Sequence, residues 1–147
     1  MNRIPVEESI DCVCLNLRKT TRKVTQFYED ALRPLNLKAT QYSLLAAIHL
    51  MDSASMNEVS EILQLDRTSL SRSLNPLLRD KLVITAKGND KRLKLLHLTD
   101  KGRITLYAAF PLWKKAQKQV VYFLKKQKWA KMRSDLNRLS GFLQKYV

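Results

Sequence analysis

The stretch from Ser55 to Thr99 constrains the fold more than any other part of the chain. Ser55-Met56-Asn57-Glu58 has capping-box spacing: the Ser hydroxyl accepts from the backbone three residues on, and the Glu carboxylate reaches back. This predicts a short helix over Met56–Leu63 with Val59, Ile62 and Leu63 as its core face. Gln64-Leu65 then makes a turn, and Asp66 caps another helix from Arg67 to about Asp80. At about 100° per residue, Leu70, Leu74 and Leu77 fall on one side of that helix. Thr68, Ser71, Arg72, Asn75 and Arg79 fall on the other. From Leu82 the period changes. Leu82-Val83-Ile84-Thr85 favours β structure, Arg92-Leu93-Lys94-Leu95 alternates, and Lys87-Gly88-Asn89-Asp90 has turn chemistry between them. A hairpin of about 82–86 with 92–98 follows, with a bulge or an early end expected where the alternation breaks at Leu95-Leu96.

Helices are expected on both sides of this segment. Ile10, Cys14, Leu17, Thr21, Val24, Tyr28, Ala31 and Leu35 recur at three and four, which predicts a first helix over about Glu7–Arg33 that Pro34 ends. Thr40 caps a second, Gln41 to about Met51, with Tyr42, Leu44, Leu45 and Ile48 inward. Thr99 caps a long fifth helix, Asp100 to about Leu124, with Asp100 placed for the helix dipole. A sixth runs from Trp129 to about Lys145 with Met132, Leu136, Leu139 and Leu143 on one stripe. Pro76 and Pro111 lie inside helices and are expected to bend them, Pro76 by removing the bond to Arg72. The fold class is mainly α with a small β-hairpin, six helices in a single domain spanning 1–147.

Several function classes have nothing behind them. His49 and His97 are isolated, and no Cys/His/carboxylate cluster has metal-ligand spacing. No phosphate loop or nucleophile–base pair occurs, so neither an enzyme, a metal nor a cofactor is expected. No apolar run approaches the length of a membrane span, and MNRIPVEESID lacks the apolar stretch of a secretory signal, so a cytoplasmic protein without a membrane partner is expected. The two cysteines, one residue apart, make no disulfide framework.

The net charge of +14 is unevenly spread. Residues 1–65 carry seven Lys/Arg against eight Asp/Glu, residues 66–103 ten against four, and residues 104–147 ten against one. Any chain this basic binds polyanions by counterion release, so charge alone says little about specific reading. Order says more. Short helix, tight turn, second helix and β-hairpin is the order of a winged helix-turn-helix. Arg67, Thr68, Ser69, Ser71, Arg72 and Asn75 are the candidate major-groove residues of the helix that begins at Arg67. Small hydroxyl side chains near its start let a helix enter the groove, Arg72 suits guanine and Asn75 suits adenine. In the hairpin, Lys87, Asp90, Lys91 and Arg92 are the candidate wing residues. An arginine at a hairpin tip suits a narrow minor groove, and Asp90 either steadies that guanidinium or is simply a turn residue. Every amphipathic helix has a polar outward face, so it is the adjacent basic hairpin that favours reading over mere solvation. Two other readings stand beside a sequence-specific reader of duplex DNA: a nonspecific architectural nucleic-acid-binding protein, and a helical module whose basic face binds an acidic protein.

Leu65-Asp66-Arg67-Thr68-Ser69-Leu70-Ser71-Arg72, Leu82-Val83, Asp90-Lys91-Arg92, Leu98-Thr99-Asp100-Lys101-Gly102 and the earlier Thr40-Gln41-Tyr42-Ser43-Leu44-Leu45 together resemble the MarR family of bacterial transcription regulators. The resemblance implies a homodimer with interleaved first, fifth and sixth helices (about 7–35 and 104–147) around a winged helix-turn-helix of about 40–103. It further implies a pseudo-palindromic operator and a repressor released by a small phenolic ligand or by oxidation. The family often has Gly where this chain has Gln64 and Lys81. Its peroxide-sensing branch has a reactive Cys and a Tyr at positions matching Cys14 and Tyr28, and a second Tyr where this chain has Arg18. Cys14 is therefore a candidate redox residue, against the alternative of a buried structural cysteine. Cys12 and Cys14 face different ways on a helix and cannot bridge without unwinding it. Leu17, Thr21, Tyr28 and Tyr42 are candidate lining residues of an effector pocket, each equally readable as plain core.

Overall fold

The computed structural model describes residues 6–88 and 94–146. A 3-10 turn, Val6–Asp11, precedes α1 (Val13–Leu32), and a second, Arg33–Leu35, leads to α2 (Ala39–Met51). Then come β1 (Ala54–Ser55), α3 (Met56–Leu63), α4 (Arg67–Arg79), β2 (Val83–Lys87), β3 (Lys94–Leu98), α5 (Asp100–Leu124) and α6 (Lys126–Leu143).

The core is built around α2. This helix is apolar nearly all round and buries Tyr42, Leu44, Leu45, Ala47 and Ile48, as expected of a helix enclosed by neighbours. It packs on α1, α3, α4, α5 and β3. Leu70, Leu74 and Leu77 of α4 are buried together with Val59, Val83 and Leu96, which matches the leucine stripe read from the sequence. The capping box of α3 forms: the Glu58 N–H donates to Ser55 Oγ at 3.3 Å and the Ser55 N–H to Glu58 Oε2 at 2.7 Å. Pro76 and Pro111 lie within α4 and α5, and both helices continue past them.

The sheet is antiparallel, in the order β1-β3-β2. Strand β1 has no signal in the sequence; two residues show no period, and its pairing with β3 (Ala54↔Leu96, Ser55↔Leu95) exists only in three dimensions. It also accounts for Leu95-Leu96. One register runs from Val83↔Leu98 to Lys87↔Lys94 without the expected bulge. Leu96 is fully buried, and Leu95 is half-buried on the opposite face of a central strand.

Other expectations need correction. The first helix is not continuous from Glu7, because the chain is extended at Cys12 (φ −56°, ψ 124°) and α1 starts at Val13. Helix α2 starts before Thr40; its N-cap is Lys38, whose N–H donates to Gln41 Oε1 at 2.9 Å. Ile62 is exposed rather than core, and α6 begins three residues before Trp129 and ends at Leu143. The stripe of α1 is largely uncovered: only Leu32 is buried, while Ile10, Leu17 and Val24 are exposed. Helix α6 buries no residue and leaves Met132, Leu136, Phe142 and Leu143 exposed. The periodicity of both helices is genuine, but among the described residues the single chain covers only part of their apolar faces. Among the described residues no helix is long and apolar enough to cross a membrane.

Gln64 (φ 49°) and Lys81 (φ 56°) do adopt the left-handed conformation. Each closes a Schellman motif. The Leu65 N–H donates to Ser60 O and the Gln64 N–H to Glu61 O; the Leu82 N–H donates to Leu77 O and the Lys81 N–H to Leu78 O. The second motif meets the start of α5. There the Thr99 N–H donates to Leu82 O at 3.1 Å, Thr99 Oγ1 to Lys81 O at 2.7 Å and Lys101 Nζ to Asp80 O at 2.9 Å. Thr99 also caps α5 by accepting from the Gly102 N–H at 3.0 Å. The end of α4, the start of β2 and the start of α5 are thus one hydrogen-bonded knot.

Candidate nucleic-acid interface

Asp66 sets the start of α4. Its Oδ1 accepts from the Ser69 N–H at 2.9 Å and its Oδ2 from Ser69 Oγ at 2.6 Å. These hydrogen bonds hold the Asp66 carboxyl below the usual carboxylate range, and those from Ser55 do the same for Glu58. A carboxyl whose folded-state value is depressed contributes stability above its unfolded value and loses it as pH falls through the lowered one. The α4 cap is therefore intact at neutral pH and begins to weaken only as pH falls below roughly 4. Asp66→Ala is expected to lower the thermal midpoint at pH 7, and its difference from wild type is expected to shrink as pH falls below roughly 4 and the wild-type carboxyl takes up its proton. A difference that stays constant across paired melts from neutral pH into acid would refute the cap as the cause.

The buried leucines of α4 turn its polar side outward. Arg67, Thr68, Arg72 and Asn75 are exposed, while Ser69 and Ser71 are half-buried. The Ser69 hydroxyl proton is engaged by Asp66. Arg79 is paired with Asp80 at 3.1 Å, whereas Arg67 and Arg72 have no acidic partner among the described residues. Lys87 closes the described part of β2, is exposed, and stands directly across from exposed Lys94. Like charges opposite each other on a sheet repel, and an anion between them relieves the repulsion. Lys94 is not among the wing candidates read from the sequence; its place on the outward phase of Arg92-Leu93-Lys94-Leu95 is the signal that could have found it. Asp90, Lys91 and Arg92 lie outside the described residues.

A cavity of about 750 Å³ opens between α2, α3 and α5. Tyr42, His49, Leu63, Tyr107, Phe110 and Trp113 are among its lining residues. Tyr42 stacks on Trp113 with ring centroids 5.6 Å apart, and burial raises its phenol above the ordinary value. His49 meets the edge of Tyr107, and its Nδ1 is buried without a hydrogen-bond partner among the described residues. Of the four expected lining residues only Tyr42 is here. Leu17 and Thr21 are exposed on α1. Tyr28, also raised by burial, donates to Gln117 Oε1 on α5. Cys12 and Cys14 are both free and exposed, so Cys14 is not buried in the core of this chain. Cys12 precedes α1 rather than belonging to it, so the helix constrains the pair less than expected. Among the described residues no three His, Cys, Asp or Glu side chains cluster as metal ligands.

Comparison with known proteins places this geometry. The model of the MarR family matches residues 35–93, from the end of the second 3-10 turn to just before β3. The transcriptional regulator MosR of M. tuberculosis, solved in complex with DNA, is 37% identical; the alignment covers 90% of this chain and 96% of that one, with a TM-score of 0.82. The fold is also that of the transcriptional repressor CouR bound to a 23-mer DNA duplex (21% identity, 95% and 99% coverage, TM-score 0.81). A cysteine-to-serine variant of E. coli MarR complexed with operator DNA is equally similar in fold (21%, 93% and 99%, TM-score 0.81). No curated protein sequence matches. With a winged helix-turn-helix, a matching family model and a relative of this identity over nearly its whole length, the chain belongs to the MarR family of transcription regulators.

Proposed function

We propose that the chain acts as a homodimer on a pseudo-palindromic duplex operator, as a repressor that a small ligand or thiol oxidation releases. The observation that carries DNA reading is the outward face of α4, where Arg67, Thr68, Arg72 and Asn75 stand exposed beside the Lys87–Lys94 hairpin. In this role α4 enters the major groove, Arg72 and Asn75 meet base edges, and Arg67, Thr68, Ser69 and Ser71 approach the backbone and the nearest bases. The hairpin, with Lys87, lies along the adjacent minor groove, and Asp90, Lys91 and Arg92 are the contacts that the sequence suggests there.

The dimer is supported by what one chain leaves uncovered. Apolar faces on α1 and α6, including Phe27, Met132, Leu136 and Phe142, extend over two helices at opposite ends of the sequence. Patches of that extent mark an interface, and a two-fold axis would place two copies of α4 on the two halves of a palindrome. Release is supported by the aromatic cavity, which suits a planar ligand, and by the exposed Cys12 and Cys14 near the start of α1. MosR and CouR are a regulator and a repressor seen with DNA, which favours the same role here.

Selection of bound sites from a random duplex pool tests the reading. The expected product is an inverted repeat preferred over random duplex by about 10³-fold or more. Equal binding to random duplexes and to the best selected site would instead make this a nonspecific architectural protein.

A further inference from the structure

The last third of the chain carries ten Lys/Arg against one Asp, and neither α4 nor the hairpin uses those charges. On α5 they are ordered. The helix buries Leu106, Ala109 and Ala116, while Lys114, Lys115, Lys118 and its C-cap Lys125 are exposed. At about 100° per residue Lys114, Lys118 and Tyr122 fall within roughly 80° of arc on the side away from Ala116; Lys115 flanks them toward α1, and Lys125 follows where the helix ends. Tyr122 is 89% exposed. Lys114 Nζ lies 5.4 Å from the Phe110 ring centroid, and none of the four lysines pairs with an acid among the described residues. Lys118, Tyr122 and Lys125 also border a mainly apolar groove of about 760 Å³ at the α5–α6 elbow.

Position separates this ridge from α4. Helix α5 is tied at its start to Leu82, at the junction of α4 and β2. At about 1.5 Å per residue, Lys114 lies about 20 Å and Lys125 about 37 Å along the helix from that junction. Screening at physiological salt acts over about 8 Å, so charges this far away do not assist binding at α4. Nor does the ridge suit the centre of a symmetric subunit contact, where it would meet its own lysines. Four lysines spread over about 16 Å, with a phenol hydroxyl among them, match the phosphate backbone of a duplex.

We propose that Lys114, Lys115, Lys118 and Lys125 form a second, sequence-independent duplex-DNA surface, with which a protein holding its operator through α4 grips another stretch of DNA. The proposal rests on the α4 reading only for which DNA is held first. The test compares full-length wild type with a variant carrying Lys114→Gln, Lys115→Gln, Lys118→Gln and Lys125→Gln. Protein bound to an immobilised duplex with the selected site is offered a labelled duplex of unrelated sequence. Wild type is expected to retain the label at about 50 mM salt and release it at about 200 mM. The variant is expected to retain about tenfold less, with operator affinity within about threefold and sedimentation unchanged. Failure of wild type to capture the second duplex, or equal capture by the variant, overturns the ridge. So does a matching loss of operator affinity, which would make the ridge part of the first footprint. A shifted dimer dissociation would assign the lysines to the subunit contact and overturn it as well. If no operator is selected, the α4 reading fails, and the ridge is judged by direct titration of unrelated duplex, where the variant must still bind about tenfold more weakly.

Discussion

Gly102→Ala is expected to destabilise the fold by about 3 kcal/mol or more, because the added methyl has nowhere to go. A Cβ at Gly102 would lie 2.0 Å from Leu82 O and 3.0 Å from Leu82 C. Both are backbone atoms, so no side chain can swing aside. Leu82 O already accepts from the Thr99 N–H at 3.1 Å, and Leu82 itself ends the Schellman motif of α4. Relieving the clash moves α5 off the α4–β2 junction and breaks the knot that aims α4. Melts at fixed protein concentration should show the midpoint falling by roughly 10 °C. Gly141 is the internal comparison. It lies in α6, and a Cβ added there would meet nothing within 4 Å among the described residues. Gly141→Ala is therefore expected to be neutral or to stabilise by up to about 1 kcal/mol. A Gly102→Ala midpoint within about two degrees of wild type would refute the close approach of α5 to Leu82.

Arg72→Ala is expected to weaken operator binding by about 1–3 kcal/mol while leaving the fold unchanged. Arg72 is exposed and has no acidic partner among the described residues, so its removal disturbs no packing. It lies two residues after Leu70 and two before Leu74, on the outward side that those buried leucines define. If it pairs with a guanine, binding to the best site falls while binding to sites altered at that base pair hardly changes, so preference there relaxes. Affinities for a set of single-base-pair operator variants, at one salt concentration, measure this. A uniform loss across every sequence, with a shallower salt dependence, would make Arg72 a phosphate contact instead.

The parts of the fold legible in the sequence are those that local chemistry fixes. The Ser55–Glu58 box, the Asp66 and Thr99 caps and the leucine stripe of α4 involve residues within about four positions of each other, and each forms as its local pattern predicts. Gln64 and Lys81 depart from a glycine-bearing pattern in the sequence, and both take the glycine conformation. Elements that depend on a distant partner are not legible in the same way. Strand β1 is a strand only because β3 lies beside it. The 3-10 turn before α1 carries a helix-like apolar spacing, so the pattern runs unbroken through Cys12 where the backbone does not. Leu17 and Thr21 fit a helical stripe, yet the cavity is lined from α2, α3 and α5. Periodicity says which face is apolar and not what covers it.

The sequence by itself determined the order of elements, the faces of α4 and the charge gradient, because caps, turns and helical periods act over a few residues. Only the tertiary structure decided that α4, β2 and α5 meet at Leu82, that Gly102 admits no side chain, and that an aromatic cavity opens between α2, α3 and α5. Those facts depend on distances between residues far apart in the chain, which the packing of α2 against its five neighbours sets and no local pattern encodes.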